Sequence, residues 1–137
     1  MRLSNMADYA VVLMSAASRH CGSTRVSATD LAGETGLALP TTQKLVSILT
    51  KAGLLRSARG TGGGITLARP AAAISLADII EAVEGPIALT ACCDSQKHAL
   101  GQHCAKEGSC NVQPHWPSVN GVVRGALAQI NLAGLAR

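Results

Sequence analysis

Four cysteines crowd one stretch of this chain: Cys92, Cys93, Cys104 and Cys110, with His98, His103 and His115 interleaved or close by. Thiolates and imidazoles bind transition metals, and thiolates are the usual protein ligands of iron–sulfur clusters. The pattern contains no Cys-x-x-Cys pair, so a zinc ribbon is not indicated. Adjacent Cys92 and Cys93 would rarely both reach one small ion. Gaps of eleven residues after Cys92 (to the third cysteine) and five after Cys104 leave a loop able to wrap something larger than an ion. Three cysteines are one short of a four-thiolate set, so the fourth donor would be an oxygen, a nitrogen or a group from a second subunit. A weak fourth ligand eases loss of the cluster, which suits a sensor. A zinc site and a bare thiol switch stay open beside this reading. Cys21 lies apart and is expected to be a small buried residue.

The elements that must position these residues can be read from periodicity. Apolar Ala10, Val11, Leu13, Met14 and Ala17 recur at helical spacing between Asp8 and Arg19. Ser27 is a good N-cap with Asp30 three residues on, an imperfect capping box opening a short helix that Gly36 breaks. Pro40 suits the first turn of the next helix, where its missing N–H costs nothing. Leu45, Ile48, Leu49 and Ala52 form its apolar stripe, with Thr41, Lys44, Ser47 and Lys51 on other faces. Leu54–Ala58 and Ile65–Ala68 read as strands joined by a glycine-rich tip from Arg59 to Gly64. Ser75 caps a further helix, with Asp78 at its third position and Ile74 able to staple onto Ile79. Residues 87–115 show no apolar period, and a loop that long needs something to organise it. A last helix begins near Trp116-Pro117, lined by Val119, Val122, Val123, Ala126, Leu127 and Ile130.

Composition narrows the fold. Aromatic residues are limited to Tyr9 and Trp116 in 137 residues, so the core must be aliphatic, which favours packed helices over a sandwich. The expected class is mainly α with a small β-hairpin wing: a winged helix-turn-helix over 1–85, a cysteine-bearing loop over 86–115, and a dimerisation helix with its tail over 116–137. Charge is uneven. Residues 1–70 hold eight Lys/Arg against three acids, and the remainder four against five. A basic half is expected to meet a polyanion. No apolar run reaches the ~18 residues of a bilayer span, and the N-terminus lacks a signal-peptide pattern, so no membrane partner and a cytoplasmic location are expected. In that reducing compartment the cysteines should not form disulfides.

Two short helices joined at Gly36 make a helix-turn-helix whose second helix would lie in a major groove of double-stranded DNA. Pro40, Thr41, Thr42 and Gln43 are its candidate base-facing residues, and Gln43 can pair with adenine. Lys44 and Lys51 would meet phosphates. The hairpin tip Arg59, Gly60 and Thr61 would be the wing, with Arg59 reaching a minor groove. The glycine run is not a phosphate loop, because no Gly-Lys-Ser/Thr follows, and Ile65 stands where a dinucleotide fingerprint needs its last glycine. No paired carboxylates or Ser-His-Asp logic points to an enzyme. A redox module that uses the winged helix for protein contacts is the competing class.

The chain also resembles the winged-helix regulators of iron–sulfur cluster assembly, the IscR-like and SufR-like proteins. Met1-Arg2-Leu3-Ser4 with Asp8-Tyr9-Ala10 looks like their opening. Ala52-Gly53-Leu54-Leu55, Ser57-Ala58-Arg59-Gly60 and Gly62-Gly63-Gly64 resemble their wing, and Ile74-Ser75-Leu76 with Val83-Glu84-Gly85 their following helix. The resemblance implies a homodimer joined by the last long helix, and a 2Fe-2S or 4Fe-4S cluster on Cys92, Cys104 and Cys110. It places Arg2 and Tyr9 among the DNA-binding residues. IscR-like proteins complete the site with a histidine three residues after the last cysteine, where this chain has Gln113. Relatives that sense nitric oxide or redox state use an acidic residue near the partner's N-terminus, a place that Asp8 fills; His115 ranks second, and Cys93 could replace Cys92. The function so implied is a regulator, of the repressor kind, of cluster assembly genes, with a nitric oxide or redox response as the alternative.

Overall fold

The computed structural model describes residues 1–22, 25–60 and 62–137. Helix α1 (Asn5–Arg19) starts earlier than the apolar period indicated, because the Ser4 hydroxyl caps it by accepting from the Ala7 N–H. Ala7, Ala10, Leu13, Met14 and Ala17 make its buried face. Helix α2 (Ala28–Thr35) begins at a complete capping box: the Ser27 hydroxyl accepts from the Asp30 N–H, and the Asp30 carboxylate accepts from the Ser27 N–H. The shorter aspartate therefore closes the box that glutamate usually closes. The Ser27 hydroxyl also donates to the Asp30 carboxylate at 2.7 Å, and this bond first, then the one from the Ser27 N–H, holds the Asp30 carboxyl below its ordinary value.

Gly36 ends α2 at φ +74°, a left-handed conformation that a side chain would strain. The chain then enters α3 (Leu39–Lys51), with Pro40 in its first turn. Strands β1 (Leu55–Ala58) and β2 (Gly64–Leu67) pair antiparallel, with Leu55 opposite Leu67 and Ala58 opposite Gly64. At the tip, a Cβ on Gly63 would stand 2.5 Å from the Ala58 carbonyl oxygen, so the turn admits only glycine there. Val26 adds a bridge to Ile65, through an Ile65 N–H donated to the Val26 carbonyl at 2.7 Å.

Helix α4 (Leu76–Glu84) repeats the capping box with Ser75 and Asp78. The expected irregular stretch that follows is shaped by a 3-10 turn at Ala91–Cys93, the short α5 (Ser95–Ala99) capped by Asp94, and another 3-10 turn at Gln113–His115. Helix α6 (Trp116–Gln129) leads to α7 (Leu132–Leu135). The tail returns to the N-terminal core: Leu132 is fully buried, and it donates its N–H to the Ile74 carbonyl at 2.8 Å. The core is aliphatic, built on Leu13, Met14, Leu31, Leu45, Leu49, Leu54, Leu55, Ile74 and Ile79, with Tyr9 packed at its edge. Among the described residues, no helix is long and apolar enough to cross a membrane.

Two expectations need correction. Thr42 is fully buried, and its hydroxyl donates to the Ala38 carbonyl one turn back at 3.1 Å, so it faces the core and not a base. It belongs to the stripe Thr42–Leu45–Val46–Leu49, all buried at helical spacing. Cys21, expected inside, is exposed.

Candidate nucleic-acid interface and thiol cavity

The order of elements sets out a basic face. Helix α2, the Gly36 turn and α3 form the helix-turn-helix, and the β1–β2 hairpin lies beyond α3. Between α3 and the hairpin runs an open groove of about 770 Å³. Gln43, Ser47 and Lys51 line it from α3, and Arg59 and Gly60 from the hairpin. Pro40, Gln43, Lys44, Ser47, Lys51, Arg59 and Gly60 are exposed, and Thr41 is half-buried. Thr61 lies outside the described residues. The face therefore joins amide and hydroxyl groups able to read base edges with cations able to meet phosphates.

Sequence reading missed Arg25. Its guanidinium donates to the Gly62 carbonyl and so ties the segment before α2 to the wing tip. The signal, an isolated arginine ahead of an N-cap serine, says nothing about a partner nearly forty positions away. Arg2 is exposed at the N-terminus, and Tyr9 is half-buried on α1.

The cysteines meet at a second place. A cavity of about 150 Å³ is lined by Cys92, Cys104 and Cys110, with Thr90, Ala91, Lys106, Glu107, Gln113 and Trp116 completing its wall. All three cysteines are half-buried and carry free thiols. Cys93 and His115 are not among the lining residues, whereas Gln113 is. The Thr90 hydroxyl lies 3.0 Å from the Cys92 Sγ and donates to the Cys93 Sγ at 3.6 Å. Asp8 is exposed in the first turn of α1 and does not line this cavity either.

The cavity is tied to the rest of the fold by two side chains. Asn120 on α6 donates to the Ile87 carbonyl and accepts from the Leu89 N–H, both at 2.8 Å. Glu81 on α4 accepts from Arg124 of α6 at 2.7 Å and from the Ile87 N–H at 3.2 Å. The strand of chain entering Cys92 is thus held against both α4 and α6. Glu81 keeps the Arg124 guanidinium above its ordinary value, first through this hydrogen bond and then through its charge.

Comparison with known proteins matches residues 3–137 to Rrf2, described as an iron-dependent transcriptional regulator family. The chain belongs to the Rrf2 family. It is 35% identical over 104 residues to the HTH-type transcriptional regulator IscR of Xenorhabdus nematophila, covering 76% of this chain and 63% of that one. It thus spans less than two thirds of the length of the first curated relatives. Among solved structures, CymR, the global cysteine regulator of B. subtilis, superposes with a TM-score of 0.77 at 26% identity, covering 99% of this chain and 96% of that one. IscR of T. potens gives a TM-score of 0.70 at 29% identity, covering 98% and 85%. The expected fold, mainly helical with a two-stranded wing, is the fold of these Rrf2 structures. Within this family the chain is similar to members named IscR.

Proposed function

We propose that the protein binds double-stranded DNA as a homodimer and that its grip responds to an iron–sulfur cluster held by Cys92, Cys104 and Cys110. The observation that carries this reading is the convergence of those three thiols on one cavity, with Cys93 left out. The donor set fits such a group: three half-buried sulfurs around a space wider than one ion needs, beside residues that leave a position for a weaker ligand. When bound, the group would supply a redox-active centre that oxidants, nitric oxide or iron shortage can dismantle.

The chain's own residues do the rest. Cys92, Cys104 and Cys110 draw together a segment built of turns and the short α5. Gln113 on the cavity wall, or Asp8 from a second copy, supplies the fourth donor. Asn120 and Glu81 carry the position of residues 87–89 to α6 and α4. Helix α4 packs on α1 and α3, so a shift there bears on the reading head. Ligand state biases this equilibrium only by its different affinity for the two arrangements.

The dimer rests on α6. Its Trp116, Asn120, Val123 and Leu127 are half-buried against their own protomer, while Val119, Val122 and Ala126, with Ile130 just past its end, stay exposed along an adjacent face. Val122 is 71% exposed. An apolar stripe of this kind is stabilised by burial against a second copy. Pairing along α6 would set two α3 helices on a pseudo-palindromic site. Repression of cluster assembly genes is the output that fits this design.

A thiol-based regulator is the second reading, favoured by one hydroxyl, that of Thr90, lying close to the sulfurs of both Cys92 and Cys93. Anaerobic reconstitution with iron and sulfide separates the two. The cluster reading expects a visible spectrum with matching iron and sulfide counts, retained by Cys93→Ser and lost by Cys110→Ser. An iron-free protein whose DNA binding still follows oxidation would favour the thiol reading.

A further inference from the structure

We propose that His98, His103 and Glu107 form a binding site for one divalent cation of the zinc class, distinct from the thiol set. One ligand atom from each of the three lies within 4.8 Å of the others. The His98 Nε2 is buried and has no hydrogen-bond partner among the described residues. Buried polar atoms in folded proteins are nearly always paired, so an orphan imidazole nitrogen beside two further donors points to an absent partner. The His103 Nδ1 stands 3.0 Å from the Glu107 Oε2, and the two imidazole rings meet edge-on with centroids 5.2 Å apart. A surface ion pair between His103 and Glu107 accounts for that contact but leaves His98 unexplained.

Two imidazoles and a carboxylate are a donor set that zinc and neighbouring first-row divalent ions accept. Ligands at about 2.1 Å from a tetrahedral ion stand roughly 3.4 Å from one another. His103 and Glu107 already stand that close, so it is their distance to His98 that must shorten, by an ångström or so. His103 and Glu107 can do this, since their side chains are 52% and 39% exposed and end on short surface turns. Three protein ligands leave a fourth position for water.

The site is set apart from the cysteines yet touches them. His98 and His103 do not line the thiol cavity, but Glu107 does. A cation that pulls Glu107 toward the histidines fixes the backbone between α5 and Cys110, which includes Cys104. Cation binding would then pre-order the loop that carries the thiols. This proposal does not depend on what those thiols hold.

The test uses cobalt(II) as a coloured probe and zinc(II) as its competitor, on the full chain without oxygen. In a Cys92→Ser/Cys104→Ser/Cys110→Ser variant, one cobalt per protomer is expected. It should show ligand-field bands, no sulfur-to-metal charge transfer, and full displacement by zinc. Adding His98→Ala and His103→Ala should abolish uptake, and Glu107→Gln should weaken it at least tenfold. The triple variant could lose its fold, so zinc uptake is also counted in the thiol-intact protein. There, His98→Ala/His103→Ala should remove one zinc equivalent per protomer relative to wild type. Uptake that is absent from a folded triple variant, or that ignores the histidine substitutions in both backgrounds, overturns the site. Failure of cluster reconstitution would leave these zinc counts untouched.

Discussion

Replacing Arg59 with alanine should flatten the salt dependence of DNA binding by a calculable amount. Arg59 is exposed at the wing and lines the groove shared with Gln43, Ser47 and Lys51. Each phosphate neutralised contributes about 0.9 to the slope of log affinity against log salt. The proposed homodimer brings two wings, so the slope should fall by about 1.8. Between about 50 and 200 mM salt, a fourfold change, this reduces the loss of affinity by roughly twelvefold. Fluorescence anisotropy on a labelled duplex across that range measures it. Arg69→Ala is the control, because Arg69 pairs with Asp78 at 3.8 Å and does not line the groove. A drop near 0.9 would mean one wing engaged per complex. A slope equal to wild type for Arg59→Ala, or a fall as large for Arg69→Ala, would refute the assignment of the wing.

Val122→Glu should convert the protein to a monomer in sedimentation, since it places a charge in the exposed stripe of α6; an intact dimer would move the interface elsewhere. Leu49→Ala, at a fully buried core position beside the recognition face, should cost about 2–5 kcal/mol in urea unfolding. Asn120→Ala leaves the Ile87 carbonyl and the Leu89 N–H unpaired, at a cost of about 1–3 kcal/mol nearer the lower end for a half-buried site; reconstituted protein should also lose iron faster, as timed by chelator challenge. Glu34 is held below the ordinary glutamate value of 4.5, first by its hydrogen bond with His20 and then by Arg19. Its contribution to stability is therefore present above that value and fades as pH falls through its lower folded value. Glu34→Gln should reduce the urea midpoint at neutral pH and converge with wild type in acid; a constant gap at every pH would contradict the linkage.

What the sequence made legible was local. Ser27 with Asp30 and Ser75 with Asp78 satisfy each other across three residues, so both helix starts could be read without tertiary knowledge. Pro40 and Gly36 mark their turns for the same reason. Thr42 was misplaced because its polar side chain outweighed its position, although spacing sets it with Leu45, Val46 and Leu49. The hydroxyl is tolerated inside because it bonds back to Ala38. Helix α5 has five residues, too few to show an apolar period, and rests on the Asp94 cap instead. The grouping of Cys92 with Cys104 and Cys110 but not Cys93, and the approach of His98 to Glu107, depend on how turns fold residues 90–115 back on themselves. Spacing cannot encode that path. The clasp of Arg25 on Gly62 is hidden likewise.

The thiol cavity and the DNA face act together in this mechanism, and a single titration probes the link between them. The anaerobically reconstituted protein and the same sample after iron chelation are titrated against one operator duplex selected by the protein from genomic fragments, with Cys110→Ser in parallel. Wild type should change its affinity at least tenfold when iron is removed, while Cys110→Ser should hold one affinity throughout. Equal affinity of wild type with and without iron, or a response that survives Cys110→Ser, would contradict the account.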